Sequence, residues 1–280
     1  MPSRHRPATL NLLAMGAVVT TALGVASTPV MAQSSQPAGT TTQAAGDLPS
    51  AESLIENAIK AMGGEKAFKQ VKSSHSKMSM ASPMGAAEIE AWIAEDDFKV
   101  VINQMGMQIE AGGDGENAWM KNPMTQAWEM VEEGQAKEMK QMAAMYNMVP
   151  DMESRYDKMT TVGEESFNDL SCYVVECIAD DSTDTFYFDK KSGHVEGVKS
   201  VAQGPMGPIE TVITMKERKK FGDLEVVTLM EMAQMDMNMT MTIEELEFNK
   251  VSAEMVAAPA EVKEMLEEKA TSQPTSQPGG

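Results

Sequence analysis

Residues 235–243 read Met-Asp-Met-Asn-Met-Thr-Met-Thr-Ile, nine positions in strict apolar–polar alternation. Successive side chains of a β-strand point to opposite faces. A period of two therefore puts Met235, Met237, Met239, Met241 and Ile243 on one face, and Asp236, Asn238, Thr240 and Thr242 on the other. On a helix the same residues would be spread around the circumference. The segment predicts a strand with one side buried, and a chain built on such strands must form a sheet with an interior face. The residue choice is unusual. Strand interiors favour Val and Ile, yet four of these five positions are Met, an unbranched, polarisable side chain that repacks around irregular apolar partners. The chain holds 28 Met against seven Phe and three Trp, so a soft interior is expected throughout.

The same alternation recurs along the chain. Ala87, Ile89, Ala91 and Ile93 share a face, as do Phe98, Val100 and Ile102, and then Met105, Met107 and Ile109. Asp114-Gly115 predicts a hairpin turn into Ala118-Trp119-Met120, and Asn122-Pro123 turns the chain into Ala127-Trp128-Glu129-Met130. Further strands are expected at 160–164, 172–179, 183–188, 195–201, 209–215 and 226–232, with another hairpin turn at Asp189–Gly193. Helical periodicity appears in three places. Ser50 caps a stripe of Leu54, Ile55, Ala58, Ile59 and Met62 that Gly63-Gly64 stops. Ala136, Met139, Met142, Ala143 and Tyr146 form a second stripe ending at Pro150, followed by a short helix around Met152 to Tyr156. Val262, Met265 and Leu266 form a closing helix after Pro259. These elements predict a mainly β (α+β) domain: a half-open antiparallel β-barrel of about eleven strands, with an N-terminal helix and a helical lid over the open side.

The ends of the chain are different in kind. Arg4, His5 and Arg6 precede an apolar run from Leu10 to Val25, and Val30-Met31-Ala32 matches the small-x-small cleavage rule, so residues 1–32 predict an export signal cleaved near Ala32. An uncleaved anchor is the alternative. Residues 33–49 read as a flexible spacer, 50–268 as one domain, and 269–280, with its repeated Thr-Ser-Gln-Pro, as a disordered tail. Loss of the signal removes two arginines and no acid. The formal charge then falls from −19 to −21, with 21 Lys and Arg against 42 Asp and Glu. Such a surface repels nucleic acid. Cys172 and Cys177 are five residues apart on one strand, on opposite faces and roughly 16 Å apart at the usual strand rise. That is too far for a disulfide.

One family shows a similar order of pieces. An amphipathic helix ending in Gly-Gly is followed by hairpins, then by Asp114-Gly115-Glu116-Asn117-Ala118-Trp119 and Asn122-Pro123. After a helical insert come Gly163-Glu164-Glu165, the strand Cys172-Tyr173-Val174-Val175 and the turn Phe186-Tyr187-Phe188-Asp189-Lys190-Lys191-Ser192-Gly193. Over residues 50–258 this order resembles the LolA/LolB-like outer-membrane lipoprotein-sorting superfamily. The resemblance implies a half-open barrel plugged by helices, and an activity of holding lipid or lipoprotein acyl chains in transit through the periplasm. It carries over no arginine: neither Arg155 nor Arg218 matches a motif.

Three readings of the Met-rich face stand side by side. It can be ordinary core in an interaction or scaffold protein with a filled cavity. It can be the wall of a cavity for an acyl chain, lined by Met105, Met107, Ile109, Met139, Met142, Ile213, Met235, Met237, Met239 and Met241. It can also bind Cu(I), which favours thioethers: Met78-Ser79-Met80, Met105-Gly106-Met107 and Met230-Glu231-Met232 are all Met-x-Met, although His75 lies on the face opposite Met78. Asp180, Asp181 and Asp184 resemble the start of a calcium loop but lack its Gly and distal Glu. A solvated hairpin turn is the simpler reading. No Gly-x-Ser-x-Gly elbow, P-loop or His-Glu-x-x-His is present. The expectation is a periplasmic, non-catalytic carrier with no cofactor. Its partners would be a lipid or lipoprotein acyl chain and a membrane-associated loading or receiving protein.

Overall fold

The computed structural model describes residues 48–131, 139–140, 143–179, 182–204 and 207–272. The signal-like segment, most of the spacer, Met142 and residues 273–280 lie outside these residues, while 269–272, expected to belong to a disordered tail, continue the last helix. Thirteen antiparallel strands make one open sheet: β1 Ser73–Ser82, β2 Gly85–Ala94, β3 Asp97–Gln104, β4 Met107–Gly113, β5 Ala118–Lys121, β6 Trp128–Val131, β7 Lys158–Phe167, β8 Leu170–Ala179, β9 Ser182–Asp189, β10 Val195–Gly204, β11 Gly207–Phe221, β12 Leu224–Gln234 and β13 Met237–Phe248. The half-open barrel expected from the sequence is thus present, with more strands than the pattern gave. Their order is β6-β5-β4-β3-β2-β1-β13-β12-β11-β10-β9-β8-β7. Every sequential neighbour is a hairpin partner except one pair. β6 and β7, consecutive in the chain, form the two opposite edges.

That order dictates the rest. The sheet starts in its middle at β1, meanders out to β6, and must cross to the far edge before returning to β13 beside β1. The crossing segment contains a 3-10 turn (Met145–Asn147) and the short helix α3 (Met152–Arg155). Tyr146, Val149, Met152 and Tyr156 of this segment join one buried cluster with Phe98 and Val100 of β3, Val175 of β8, Phe186 and Phe188 of β9 and Val198 of β10. The segment therefore lies against the inner face as a strap. Helix α1 (Ala51–Ala61), capped by the Ser50 hydroxyl accepting from Ser53 N–H at 3.2 Å, buries Leu54, Ile55 and Ala58 in the same cluster. The carbonyl of Met62 beyond it accepts from Glu225 N–H at 2.9 Å. Gly63 follows at φ +122°, where a Cβ would collide with the Asp223 carbonyl. Glycine there both ends the helix and lets it dock on the β11–β12 hairpin, and the short helix α2 (Glu65–Lys69) follows.

Among the described residues, helices cover the other face on one side only. Trp119 shares a parity with Lys99 and Trp92, opposite Phe98 and Val100, and its ring lies over Gly112. Helices α4 (Ala253–Val256) and α5 (Ala260–Ser272) pack against β2, β3 and β6, and bury Val256 and Val262. Toward the opposite edge, Phe167 stacks on Tyr187 at 4.4 Å in a small cluster with Cys172 and Val174. Cys177 sits on the inner face, so the two free cysteines do lie on opposite sides.

One carboxylate is sealed inside. Asp184 of β9 is 0% exposed and accepts from the Tyr156 hydroxyl at 2.6 Å. The solvated turn expected at this position does not hold for Asp184, because the strand continues through it and its parity places it with Phe186 and Phe188. Asp180 and Asp181 lie outside the described residues. Burial raises the Asp184 carboxyl above the ordinary carboxylate range, and hydrogen bonds from Ser200 and Tyr156 and the charge of Arg155 only partly offset this. The folded chain therefore holds this proton more tightly than the unfolded chain does. Its favourable contribution is complete below the unfolded value of about 3.9 and is lost as pH rises through the folded value. Urea midpoints measured upward from pH 4 should fall more for the wild type than for Asp184→Asn, which keeps the acceptor without the charge. At Met152, which is fully buried, truncation to Ala should cost about 2–5 kcal/mol in the same assay.

Candidate functional site: the groove beneath the strap

Pairing registers place the inner-face side chains in rows that run across the sheet. One row is Val175, Phe186, Val198, Ile213, Met232 and Met239, from β8 to β13. A second is Met215, Met230, Met241, Met80, Ala87, Gln104 and Met107, from β11 through β1 to β4. A third is Ile243, Met78, Ile89, Ile102 and Ile109. Directly opposed side chains on one face have Cβ atoms about 5 Å apart, so the first and third rows are continuous apolar surfaces and the second is broken only by Gln104. Methionines from four adjacent strands meet in the second row. The sequence shows them as scattered Met-x-Met pairs, which become neighbours only when the strands pair.

The residues expected to line a cavity divide accordingly. Ile213 and Met241 are buried in the core cluster. Met237, Met239 and Ile109 are half-buried on the inner face. Met139 is half-buried and packs against the core from the strap. Met142 lies outside the described residues. Met105 and Met235 are corrected. Both stand in two-residue hairpin turns at positive φ (51° and 49°), where the strand alternation stops, and they are 73% and 68% exposed. Met105 is followed by Gly106, also at positive φ, and this turn pairs Gln104 with Met107. The apolar alternation ran through the turn unbroken, which hid it from a pattern reading. Met107 keeps the inward parity but is 43% exposed at the rim.

The described part of the strap is pinned at several points. Lys140 Nζ meets Asp96 Oδ1 at 2.8 Å on the β2–β3 turn. Tyr146 hydrogen-bonds Ser74 on β1 and packs edge-on against Phe248 of β13. Tyr156 packs edge-on against Phe186 and donates to Asp184, and Asp157 N–H donates to the Ile178 carbonyl at 2.9 Å. The pins thus run from the β2–β3 turn to β8 and β9. Arg155 is almost fully buried, its guanidinium 3.4 Å from Asp151, and its Nε has no hydrogen-bond partner among the described residues. Burial drives the Tyr156 hydroxyl far above its ordinary value, with the Asp184 charge adding to the effect. The phenol therefore stays protonated and donates. Burial likewise pushes the Cys177 thiol up, and the Cys172 thiol up to about 11, so neither is a poised nucleophile.

Sequence reading missed the polar part of this site. Asp184 gave a turn-like signal, Tyr156 and Arg155 gave none, and their meeting depends on the strap crossing between edges. On the outer face His75 stacks on Trp92 and its Nε2 lies 2.7 Å from Glu90. This places His75 away from Met78, as parity required. Among the described residues no three His, Cys, Asp or Glu side chains converge as a metal site. A shallow cleft of about 380 Å³ between Trp128 and Glu261, Glu264 and Glu268 lies outside the groove, on the convex side.

No family model and no curated protein matches the chain. Solved structures do. A DUF1329 family protein from Desulfovibrio piger superposes with TM-score 0.52 at 11% identity, covering 74% of this chain and 98% of that one. A LolA superfamily protein from Nitrosomonas europaea superposes with TM-score 0.51 at 10% identity, covering 75% and 99%. At these identities the likeness concerns the fold, and the open thirteen-stranded sheet with its helices is a LolA/LolB-like fold.

Proposed function

We propose that the protein is a periplasmic, non-catalytic carrier that holds the acyl chain of a lipid or lipoprotein in the groove between sheet and strap. The observation that carries this reading is the unequal sealing of the inner face. Met80, Ile102 and Met232 pack against the core, whereas Ile109, Met237 and Met239 are half-buried apolar residues on the same face outside that packing. An inner face lined by thioethers and left partly unsealed suits a chain of variable shape. Burial of each ligand methylene contributes about 0.8 kcal/mol, so a short length of chain suffices for binding. The strap gates entry, and a membrane-associated loading or receiving protein would move it. The likeness to a LolA superfamily protein supports the same reading. A scaffold protein with a filled interior is the rival.

Lipid extraction of protein purified from a bacterial periplasm should recover co-purified acyl lipid, and a filled scaffold would yield none. A fluorescent fatty-acid probe should bind at least tenfold more weakly to Met239→Asp than to wild type, while Met239→Leu stays close to wild type. Unchanged binding by the Asp variant would remove that wall from the site. Tyr156→Phe keeps the ring contact with Phe186 but loses the hydrogen bond to Asp184 and leaves a buried acceptor short of a partner, a change of about 1–3 kcal/mol. Stopped-flow uptake of the same probe should then be faster, and equal rates would exclude Tyr156 as a pin of the gate.

A further inference from the structure

One inner-face row does not suit an acyl chain. Asp184 on β9 pairs directly with Ser200 on β10, Ser200 with Thr211 on β11, and Thr211 with Gln234 on β12. All four are buried. The row lies one step along the strands from the apolar row Phe186, Val198, Ile213 and Met232, on the same face. Burying four adjacent polar side chains is costly unless they are bonded, and the bonds present leave one carboxylate oxygen over. Gln234 Nε2 donates to Thr211 Oγ1 at 2.8 Å, and Asp184 accepts from Ser200 and, through Oδ2, from Tyr156. Asp184 Oδ1 has no partner among the described residues, and neither has Arg155 Nε on the strap.

Seating the strap requires only Asp184, because Tyr156 bonds nothing further along the row. Thr211 and Gln234 lie two and three strands away and are bonded to each other. The polar row therefore extends beyond what the strap needs. We propose that it is the seat for the polar end of the cargo, and that the cargo is an acyl chain ending in a neutral hydroxyl- or amide-bearing group, as in an acylglycerol. This rests on the carrier reading and specifies its substrate class. The chain would run along the apolar rows while the headgroup meets Asp184, Ser200, Thr211 and Gln234. The row offers carboxylate, hydroxyl and amide groups and no cation of its own. Arg155 belongs to the strap and leaves with it, so an anionic end would face Asp184 uncompensated. In the closed state the Tyr156 hydroxyl occupies the position of a ligand hydroxyl. Lifting the strap for such a ligand exchanges one O–H donor to Asp184 for another, whereas an alkane leaves the carboxylate bare.

The test compares monolaurin, laurate and dodecane as competitors of a fluorescent acyl probe on the full chain. Wild type should bind monolaurin at least tenfold more tightly than either of the others. Thr211→Val with Gln234→Leu removes both members of a bonded pair together, and so should fold; thermal melting checks this. In that double variant the preference for monolaurin should drop at least tenfold while dodecane binding is unchanged. Gln234→Met, which extends the neighbouring methionine surface, serves as a second variant with the same expected result. Equal binding of the three competitors by wild type, tighter binding of laurate, or an undiminished preference in variants that fold would overturn the proposal while leaving the carrier reading intact. Failure of every competitor, dodecane included, would overturn both.

Discussion

The pairing of β1 with β13 is the contact on which the molecule depends. It joins the first and last strands of the sheet in its middle, Met78 against Ile243 and Met80 against Met241. It thereby leaves two consecutive strands, β6 and β7, as the edges. A chain that must pass from one edge of a curved sheet to the other has one short route, across the concave side. The strap is thus a consequence of strand order, and its packing residues Tyr146, Val149, Met152 and Tyr156 complete the core. The same pairing unites the methionines of β11, β12, β13 and β1 in one row, so the apolar groove and the segment over it have a common origin.

Two kinds of side chain hold the strap against the sheet, and they would respond differently to a ligand of the proposed kind. Apolar contacts made by methionine are weakly directional and can be remade around a guest. The hydrogen bonds of Tyr146 and Tyr156 are directional and fix the strap to named positions on β1 and β9. Asp184 stands where the two meet, buried among aromatics and bound by a phenol, with one oxygen still unpaired. Arg155 is in a comparable state on the strap. Buried polar groups left short of partners make the closed arrangement less stable than its packing alone would give. That is consistent with an element that must move for the proposed function.

What pattern reading recovers depends on whether the signal is local. Helix α1 was visible because its cap, its stripe and Gly63 are all within one short segment. Most strands were visible from their alternation, including Met237, Met239 and Met241. Strand β1 was harder, since Ser73, Ser74, Ser76, Ser79 and Ser82 have little strand preference, and it is held by having a partner on each side. Met105 and Met235 were misplaced because a turn residue happened to continue the apolar period. Nothing local marked Tyr156, Arg155, Thr211 or Gln234, because a single polar residue in a strand reads as solvent-facing.

The amino-acid sequence alone determined that the chain forms sheets, which side of most strands is apolar, that the interior is rich in thioethers, and that Cys172 and Cys177 stay apart. These follow from the period of two and from residue chemistry, which are properties of single segments. Tertiary structure alone decided which strands are neighbours. Register then turned separate methionines into one lining, placed Asp184 beside Ser200, Ser200 beside Thr211 and Thr211 beside Gln234, and brought Tyr156 of the strap onto Asp184. Those contacts join residues far apart along the chain, and only strand order and parity, not composition, bring them together.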